Sequence, residues 1–142
     1  MLGITQIEFF NTVIKMNPEI KKKIIASKTN LFKAVFPELT NHHNIMHGGK
    51  AMLLMDEIAF LTATRFSRKS FVTASSNVNY KKPLPADSII EVIGEVVKIG
   101  NTSLDVGVKI FVEKMFTNSR FEAVDALFTL VAVDENKNPI SV

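Results

Sequence analysis

The chain has 142 residues, of which 46% are hydrophobic and 22% are charged, a size and composition that allow one globular domain with its own core. It contains no cysteine, which excludes disulfides, thiolate metal sites and a cysteine nucleophile. The formal net charge of +3 is far below the dense basic surface of a nucleic-acid binder, so we expect no nucleic-acid partner.

The first residues predict two helical pieces. Residues 2–16 carry apolar side chains at spacings of three, four and seven, and Asn17-Pro18 ends this pattern because proline disfavours helix in the residue before it. A basic piece from Lys21 to Ser27 follows, and we expect its three consecutive lysines to form a solvated face. Both pieces are expected to pack on the rest of the chain or on a partner subunit, and a membrane-surface role is the less favoured alternative.

Domain organisation and location follow from the same inspection. We predict an N-terminal amphipathic helical extension over residues 1–27 and one domain over residues 28–142. No signal-peptide pattern is evident, and no apolar run approaches the roughly 18 residues of a membrane helix. The protein is therefore expected to be cytoplasmic, without a membrane partner.

Five strands are predicted from period-two patterns and from the turns between them. Leu31 to Phe36 alternates weakly and stops at a proline, and the stretch 81–85 marks a turn because its prolines cannot lie in a central strand. The other four predicted strands are Phe71–Tyr80, Ser88–Ile99, Thr102–Lys114 and Phe121–Val133. Thr102–Lys114 alternates most regularly, which is typical of a half-exposed antiparallel strand.

One long helix is predicted between the first and second strands. It begins at Gly48-Gly49 and ends near Ser67, and from Ala51 to Ala63 it is apolar on nearly every side, as in a helix that is buried all round. With a single crossover helix, the sheet must be mostly antiparallel. We therefore predict an α+β fold in which the sheet wraps around the helix and a second subunit covers the helix's remaining side.

Two acids interrupt this apolar helix, and one of them is the candidate for chemistry. Burying an ionised carboxylate costs several kcal/mol or more unless it is paired or hydrogen-bonded. Asp56 follows Gly49 by seven residues, roughly two turns, and so lies on the same helix face. Free amides at the start of a helix stabilise a developing oxyanion, so the pattern predicts hydrolysis with Asp56 as general base. The alternatives are that the two glycines only allow a tight turn and that Asp56 belongs to a structural ion pair. Glu57 points about 100° away and is expected to pair with a lysine or arginine at the rim.

Metal and serine chemistry are the weaker alternatives. His43 and His47 are four residues apart and Asp56 offers a third ligand, but the following glycines place the histidines in a loop rather than on a helix, so we expect no metal site. His47 is expected to form a hydrogen bond at the mouth of the site or to pack beneath the loop. Neither a Gly-x-Ser-x-Gly elbow nor a phosphate-binding glycine loop is present in the sequence.

Four stretches of the sequence resemble a known enzyme family. They are, in order, NHHNIMHGGKAMLLMDE, FVTASSNVNYKKPLPADSIIEV, GNTSLDVGV and FTLVAVDENKNPISV. Together they resemble the hotdog-fold acyl-CoA thioesterases, especially the small bacterial and the brain-type cytosolic acyl-CoA hydrolases, over roughly Ser27 to Val142. The resemblance implies a hotdog fold, a long central helix wrapped by a curved five-stranded sheet. It also implies hydrolysis of acyl-CoA without a metal or cofactor, and homodimers, often assembled as trimers of dimers, with the active site at the dimer interface.

The resemblance also implies roles for individual residues. Asp56 matches the family's water activator, the Gly49 amide its oxyanion donor, and Asn41 the asparagine that positions the thioester or the water. Position in the family's fold implies further substrate or CoA contacts at Gly48, His47, Arg65, Thr73, Lys81, Lys82, Thr102 and Ser103. Asn44 stands where the family usually has glycine, and we expect it to keep the positive φ of the loop because asparagine tolerates that conformation best after glycine.

Two other functions fit the same residues. A hotdog dehydratase would need a histidine as base, and His47 is the candidate near the glycines. A non-catalytic acyl-CoA sensor would bind CoA without turnover.

Overall fold

A computed structural model describes Glu8 and residues 17–142 of the protein. The helix predicted over residues 2–16 lies outside this described part. In chain order the elements are α1 (Pro18–Ser27), β1 (Thr29–Val35), a short 3-10 helix (Pro37–Leu39), α2 (Gly48–Ser67), β2 (Ser70–Tyr80), β3 (Ser88–Ile99), β4 (Ser103–Lys114) and β5 (Arg120–Val133). The observed ends of the predicted strands and of the long helix lie within two residues of the predicted ends.

All five strands form one sheet in the order β1-β3-β4-β5-β2, and every neighbouring pair is antiparallel. This confirms the predicted α+β fold with a five-stranded antiparallel sheet. Because β1 and β2 lie at opposite edges, the chain between them must cross the sheet, and α2 makes that crossing in contact with all five strands. We call the face covered by α2 the inner face and the opposite one the outer face.

The core lies between α2 and the inner face. On β4 the side chains of Leu104, Val106, Val108, Ile110 and Val112 are fully buried, whereas the residues between them are not. Complete burial of one such side chain contributes roughly 1.5–3 kcal/mol. The helix and sheet approach closely at Gly94, where an added Cβ would lie 2.5 Å from Thr62 Oγ1. Glycine is required there because any side chain would push α2 off the sheet.

α2 differs from the helix buried on every side that its composition predicts. Its buried stripe consists of Ala51, Met55, Ile58, Ala59, Thr62, Ala63 and Phe66. On the opposite side Leu53 is 64% exposed, Phe60 42% and Leu61 40%. One sheet covers only one side of a helical cylinder, so this apolar side stays open in the single chain. The helix ends at Ser67 as predicted, and Arg68 follows in the left-handed conformation.

α1 packs against the C-terminal part of α2. The Asn17 side chain caps α1 by accepting a 2.9 Å hydrogen bond from the Glu19 amide. Ile24 and Ser27 are buried, and the Lys23 ammonium lies 4.7 Å from the centre of the Phe66 ring. Within the described part of the chain, no helix combines the length and the hydropathy needed to cross a bilayer.

A β-bulge in β2 determines which of its side chains face the helix. The register against β5 shifts between Thr73 and Ser75. In a regular strand residues 73 and 80 would point to opposite faces, because side chains alternate and the two positions are seven apart. The extra residue reverses the alternation, so Thr73 and Tyr80 both lie on the inner face, opposite the buried residues Leu130 and Val124.

Candidate active site

The loop before α2 is held in shape by its own backbone and by Asn41. Asn41 N donates to Ile45 O at 2.8 Å, and Asn44 N donates to Asn41 O at 3.0 Å. The side-chain oxygen of Asn41 accepts a 2.9 Å bond from His43 N. Asn44 has a φ of 58°, which confirms the predicted positive φ. Because the Asn41 oxygen is used within the loop, the amide NH2 is the end of this side chain that remains for a substrate.

Gly48 and Gly49 form the first residues of α2 and present free backbone amides. The first hydrogen bonds of the helix run from Lys50 N and Ala51 N to His47 O, both at 3.0 Å. The amides of the two glycines precede these bonds and have no intrahelical acceptor. A Cβ added to Gly49 would meet nothing within 4 Å, so the space beside this amide is open. The positive end of the helix dipole also favours an oxygen with developing negative charge at this point.

Of the two acids in the middle of α2, Asp56 is the one that a side chain of the sheet holds by a hydrogen bond. It is half-buried at the border of the helix's buried stripe, and Thr73 Oγ1 donates a 2.8 Å hydrogen bond to its Oδ1. Within residues 17–142 no lysine or arginine pairs with this carboxylate and no second side chain donates to it. The second carboxylate oxygen is therefore available to accept a proton from water.

Tyr80 forms a contact at the helix start that the sequence reasoning missed. Its hydroxyl donates a 3.1 Å hydrogen bond to the carbonyl oxygen of Gly48. Partial burial of the phenol raises the pKa of Tyr80 above its ordinary value, so the group remains a protonated donor near neutral pH. The residue is the only tyrosine of the chain and directly precedes the predicted turn, but neither signal identifies its partner.

A cleft of about 200 Å³ opens beside these groups. The residues that line it are Ile45, Met46, Gly48, Ala51, Tyr80, Lys81, Lys82, Pro83 and Leu84. Its walls are mostly apolar, and the helix start lies on one side of it. The cleft is thus a place where a small apolar group can approach the glycine amides.

Arg65 lies far from this cleft and is engaged in structure. Its guanidinium donates to the backbone oxygens of Ala26 at 2.8 Å and Lys28 at 3.0 Å, and to Thr29 Oγ1 at 2.8 Å. These bonds tie the junction of α1 and β1 to α2. Because Arg65 follows Gly48 by 17 residues, it lies roughly 25 Å along the helix axis from the glycines. The predicted CoA contact at Arg65 stays a prediction.

Thr102 and Ser103 lie at the same distant end of the molecule as Arg65. Ser103 opens β4 opposite Val131, close to the point where β2 begins, and Thr102 O accepts a 2.9 Å bond from Ala132 N. The residues predicted to bind substrate, other than Thr73, therefore form two groups, one at each end of α2. Thr73 bonds Asp56 near the middle of the helix.

The two lysines of the predicted CoA contact differ in their surroundings. Lys81 is ion-paired with Glu122, which also accepts a 2.9 Å bond from Lys109. The hydrogen bond to Glu122 raises the pKa of Lys81, and the bonds from both lysines lower the pKa of Glu122. The Lys82 ammonium instead lies 4.9 Å from the centre of the Phe121 ring. Of the two, Lys82 is the cation that is not neutralised by a carboxylate.

The histidines do not form a metal site in the described structure. The rings of His42 and His43 have centroids 3.9 Å apart and planes tilted by 42°, and His47 is exposed. In the part of the chain that the structure describes, no group of three or more histidine, aspartate or glutamate side chains is arranged to hold a metal ion. Glu57 is exposed, and among residues 17–142 no lysine or arginine forms the ion pair predicted for it.

Comparison with known proteins identifies the family. The thioesterase superfamily profile matches residues 43–116, just over half of the chain, from the loop before α2 to the end of β4. The chain belongs to the thioesterase superfamily. This confirms the predicted resemblance, and the matched range includes Gly48, Gly49 and Asp56.

Three relatives of known sequence are similar to this chain, and two of them carry acyl-CoA hydrolase names. The chain is 37% identical over 117 residues to the uncharacterized acyl-CoA thioester hydrolase YkhA of Bacillus subtilis, covering 82% of this chain and 68% of that protein. It is 34% identical over 115 residues to the protein VdlD of Helicobacter pylori, covering 79% and 66%. It is 30% identical over 130 residues to the cytosolic acyl coenzyme A thioester hydrolase of Rattus norvegicus, covering 89% and 34%. The chain thus spans just under two thirds of VdlD and about a third of the rat protein.

Solved structures of acyl-CoA hydrolases share the fold. The Staphylococcus aureus enzyme, solved with butyryl coenzyme A, coenzyme A and coenzyme A disulfide, superposes with a TM-score of 0.80 at 35% identity, covering 84% of this chain and 73% of that one. A hexameric acyl-CoA thioesterase superposes with a TM-score of 0.81 at 34% identity, covering 84% and 77%.

Variants of the S. aureus enzyme allow a comparison of residue spacing. That enzyme was also solved with one asparagine, one aspartate or one threonine replaced by alanine, and along its chain these three lie 15 and 17 residues apart in that order. Asn41, Asp56 and Thr73 have the same residue types and the same separations in this chain.

Proposed function

We propose that the protein hydrolyses acyl-CoA thioesters to a carboxylic acid and coenzyme A. The observation that carries this proposal is the Asp56 carboxylate, held by Thr73 through one oxygen, on a helix whose first amides are free. Membership of the thioesterase superfamily and the CoA-bound S. aureus structure support the choice of substrate. A cytosolic location is part of the proposal, as in the name of the rat relative.

The proposed mechanism uses one water and no covalent intermediate. The thioester carbonyl oxygen rests on the Gly49 amide, which stabilises the negative charge that develops there. Asp56 takes a proton from a water as the water oxygen bonds to the carbonyl carbon. The tetrahedral intermediate then collapses, the carbon–sulfur bond breaks, and the proton on Asp56 passes to the departing CoA sulfur. Asn41 is proposed to bind the thioester or the water through its free NH2.

We propose that two protomers share each active site. Gly49 and Asp56 are separated by about 10 Å along the helix axis, a long span for one carbonyl and one water to bridge within a chain. Apart from Thr73, the residues predicted to bind substrate also lie at the two ends of α2, roughly 25 Å apart. A two-fold axis between two copies can place the start of α2 in one copy beside the later part of α2 in the other. In this arrangement Asp56 and Thr73 of one protomer act on a thioester held by Gly49 of its partner.

The edge strand β2 is the surface proposed to join the two protomers. It is eleven residues long, and nearly all of its residues are exposed in the single chain. An open edge of this length is a template for pairing with another strand. Pairing of two β2 edges about a two-fold axis gives a dimer, and the hexameric relative supports a trimer of dimers as the complete assembly.

A thiol-release assay across acyl-CoAs from acetyl to palmitoyl tests the reaction. We expect equal amounts of free thiol and carboxylic acid. An enoyl thioester without free thiol would instead identify a dehydratase, and CoA binding without any product would identify a sensor. The acyl chain that gives the highest kcat/KM also defines the substrate within the class.

Mixed dimers test the shared site. Asp56→Asn and Gly49→Pro, which lacks the N–H of residue 49, are each expected to be inactive when pure. Coexpressed with different tags, they form mixed dimers in which one of the two sites has both an intact aspartate and an intact glycine amide. About a quarter of wild-type activity is expected from statistical mixing. A mixture as inactive as its components would mean that each site lies within one chain.

Cysteine cross-linking tests the β2 interface directly because the natural chain has no cysteine. Single cysteines at positions 75–79 are expected to form disulfide-linked dimers on mild oxidation, most efficiently nearest the two-fold axis. Phe32→Cys on the opposite edge strand β1 is the control and is expected to stay monomeric on a denaturing gel. Cross-linking through β1 alone would overturn the proposed interface.

A further inference from the structure

We propose that Tyr80 is a positioning residue for the oxyanion-binding amide. This inference rests on the proposed thioesterase function. The hydroxyl of Tyr80 bonds to the carbonyl oxygen of Gly48, and that carbonyl belongs to the same peptide unit as the N–H of Gly49. One hydrogen bond therefore acts on the group that would hold the substrate oxygen.

Peptide geometry converts this contact into control of the amide direction. The six atoms of a peptide unit are nearly coplanar, and in the trans form C=O and N–H point in opposite directions. All peptide bonds in the described structure are trans. Holding the Gly48 oxygen consequently fixes the direction of the Gly49 N–H, which points the opposite way. The space beside the Gly49 Cα is open, because an added Cβ would meet nothing within 4 Å.

The helix start has few other restraints on this peptide. Neither Gly48 nor Gly49 has a side chain to limit its backbone, and glycine is the most flexible residue. His47, the cap residue, forms no side-chain capping bond. The carbonyl oxygen has two lone pairs, so the bond from Tyr80 is compatible with the helical hydrogen bond to the same oxygen. The bond from Tyr80 thus restrains the Gly48–Gly49 peptide, which no side chain of these two glycines can do.

The same hydrogen bond polarises the donor. A carbonyl that accepts a hydrogen bond shifts charge within its peptide unit and makes the N–H at the other end a better donor. The phenol is a neutral donor near neutral pH because the ordinary tyrosine pKa already lies well above it, and burial of part of the side chain raises the pKa of Tyr80 further. Because of the bulge in β2, Tyr80 and Thr73 face the same side of the sheet. One strand therefore bonds both the Gly48 carbonyl, through Tyr80, and the Asp56 carboxylate, through Thr73.

Tyr80→Phe removes the hydroxyl and keeps the ring. We expect kcat to fall about tenfold, the fold-change of one net hydrogen bond, while KM for acyl-CoA stays the same. Hydrogen–deuterium exchange at residues 47–52 is expected to become faster. The matched control is Thr129→Val, which removes a hydroxyl that donates to Asp105 at 2.7 Å on the outer face and should change neither kcat nor exchange at the helix start.

Each result decides the inference. Lower kcat with unchanged KM and faster exchange, both specific to Tyr80→Phe, would support it. Wild-type kcat and exchange in that variant would overturn it, and so would an equal loss of activity in both variants, since the loss would then reflect general destabilisation. If the wild-type protein released no thiol from any acyl-CoA, the proposed function would fail, and exchange alone would still decide whether Tyr80 holds the turn.

Discussion

On each face of the sheet, a threonine donates a hydrogen bond to an aspartate. On the inner side Thr73 donates to Asp56 at 2.8 Å, and on the outer face Thr129 donates to Asp105 at 2.7 Å. The outer pair joins directly opposed residues of β4 and β5, as cross-strand pairs in sheets commonly do. The inner pair joins the central helix to an edge strand, and it lies on the helix that begins with the free amides.

The surroundings of the two pairs differ more than the pairs themselves. The ion-paired acids of the outer face lie toward the other end of β4: Glu91 and Glu113 both bond Arg120, and Glu122 bonds two lysines. Neither Asp105 nor Asp56 has a cation partner in the described residues. Asp105 lies on the outer face of the sheet, whereas Asp56 lies on the helix whose first amides are free. The same two side chains therefore stabilise a sheet at one place and hold a potential base at the other, and what distinguishes them is access to a substrate and to an oxyanion donor.

Replacement of the two aspartates by asparagine is expected to give the largest difference. Asp56→Asn keeps the shape but removes the base, and kcat should fall about 100- to 1,000-fold, within the usual range for general base catalysis. Asp105→Asn should retain wild-type kcat. Steady-state thiol release and circular dichroism on both purified variants measure this, and comparable activity of the two variants would refute the role of Asp56.

Two glycines, Gly49 at the start of α2 and Gly107 on the outer face, give the next comparison. Gly49→Pro removes the amide donor at a position in the first helical turn, where proline is tolerated, and is expected to lower kcat about 100-fold. Gly107→Ala on the outer face places a Cβ 3.2 Å from Val97 Cγ1 and should leave kcat unchanged. Thermal unfolding curves establish whether both variants are folded. Full activity without the Gly49 amide would place the oxyanion site elsewhere.

The threonines test whether the hydroxyl orients the base. Thr73→Val removes the hydrogen bond that holds the Asp56 carboxylate and leaves the side chain free to rotate, and we expect kcat to fall about tenfold through loss of orientation. Thr129→Val removes the equivalent bond at Asp105 and should affect only stability, by about 1 kcal/mol. The ratio of kcat between the two variants is the measurement, and a ratio near one would show that the inner bond has no catalytic role.

The smallest expected effect is a pH dependence of the free energy of unfolding, and it comes from the ion-paired acids of the outer face. Burial alone would raise the pKa of Glu91, but hydrogen bonds from Asn30 and Arg120 outweigh it and lower that pKa. A lowered pKa stabilises the fold above the ordinary glutamate pKa, and this contribution is lost as pH falls through the folded-state value. Glu91→Gln should therefore lower the free energy of unfolding by about 1–2 kcal/mol at pH 7 and by much less at pH 3. Urea titrations at both pH values test this.

Local pattern was sufficient to predict much of the fold. The five strands and the long helix appear in the sequence as period-two and continuous apolar stretches, and their observed ends lie within two residues of the predicted ones. One crossover helix was enough to require an antiparallel sheet. Asp56 and Gly49 were also predicted, because an acid in an apolar helix and a glycine pair at its start are visible without coordinates.

Contacts between distant parts of the chain were not predictable in this way. The bulge at positions 73–75 depends on pairing with β5, and it alone turns both Thr73 and Tyr80 toward α2. The tether from Arg65 to the α1–β1 junction spans more than 35 residues of sequence.

The sequence by itself thus determined the elements and the family and gave Asp56 as the candidate base, since these depend on side-chain period and on residue types at fixed spacing. The tertiary structure decided which hydroxyls bond Asp56 and the Gly48 carbonyl, which cations are already paired, and which side of α2 is left open. Those outcomes depend on strand register and on the side of the sheet that the helix covers, and neither is encoded in any single segment of the chain.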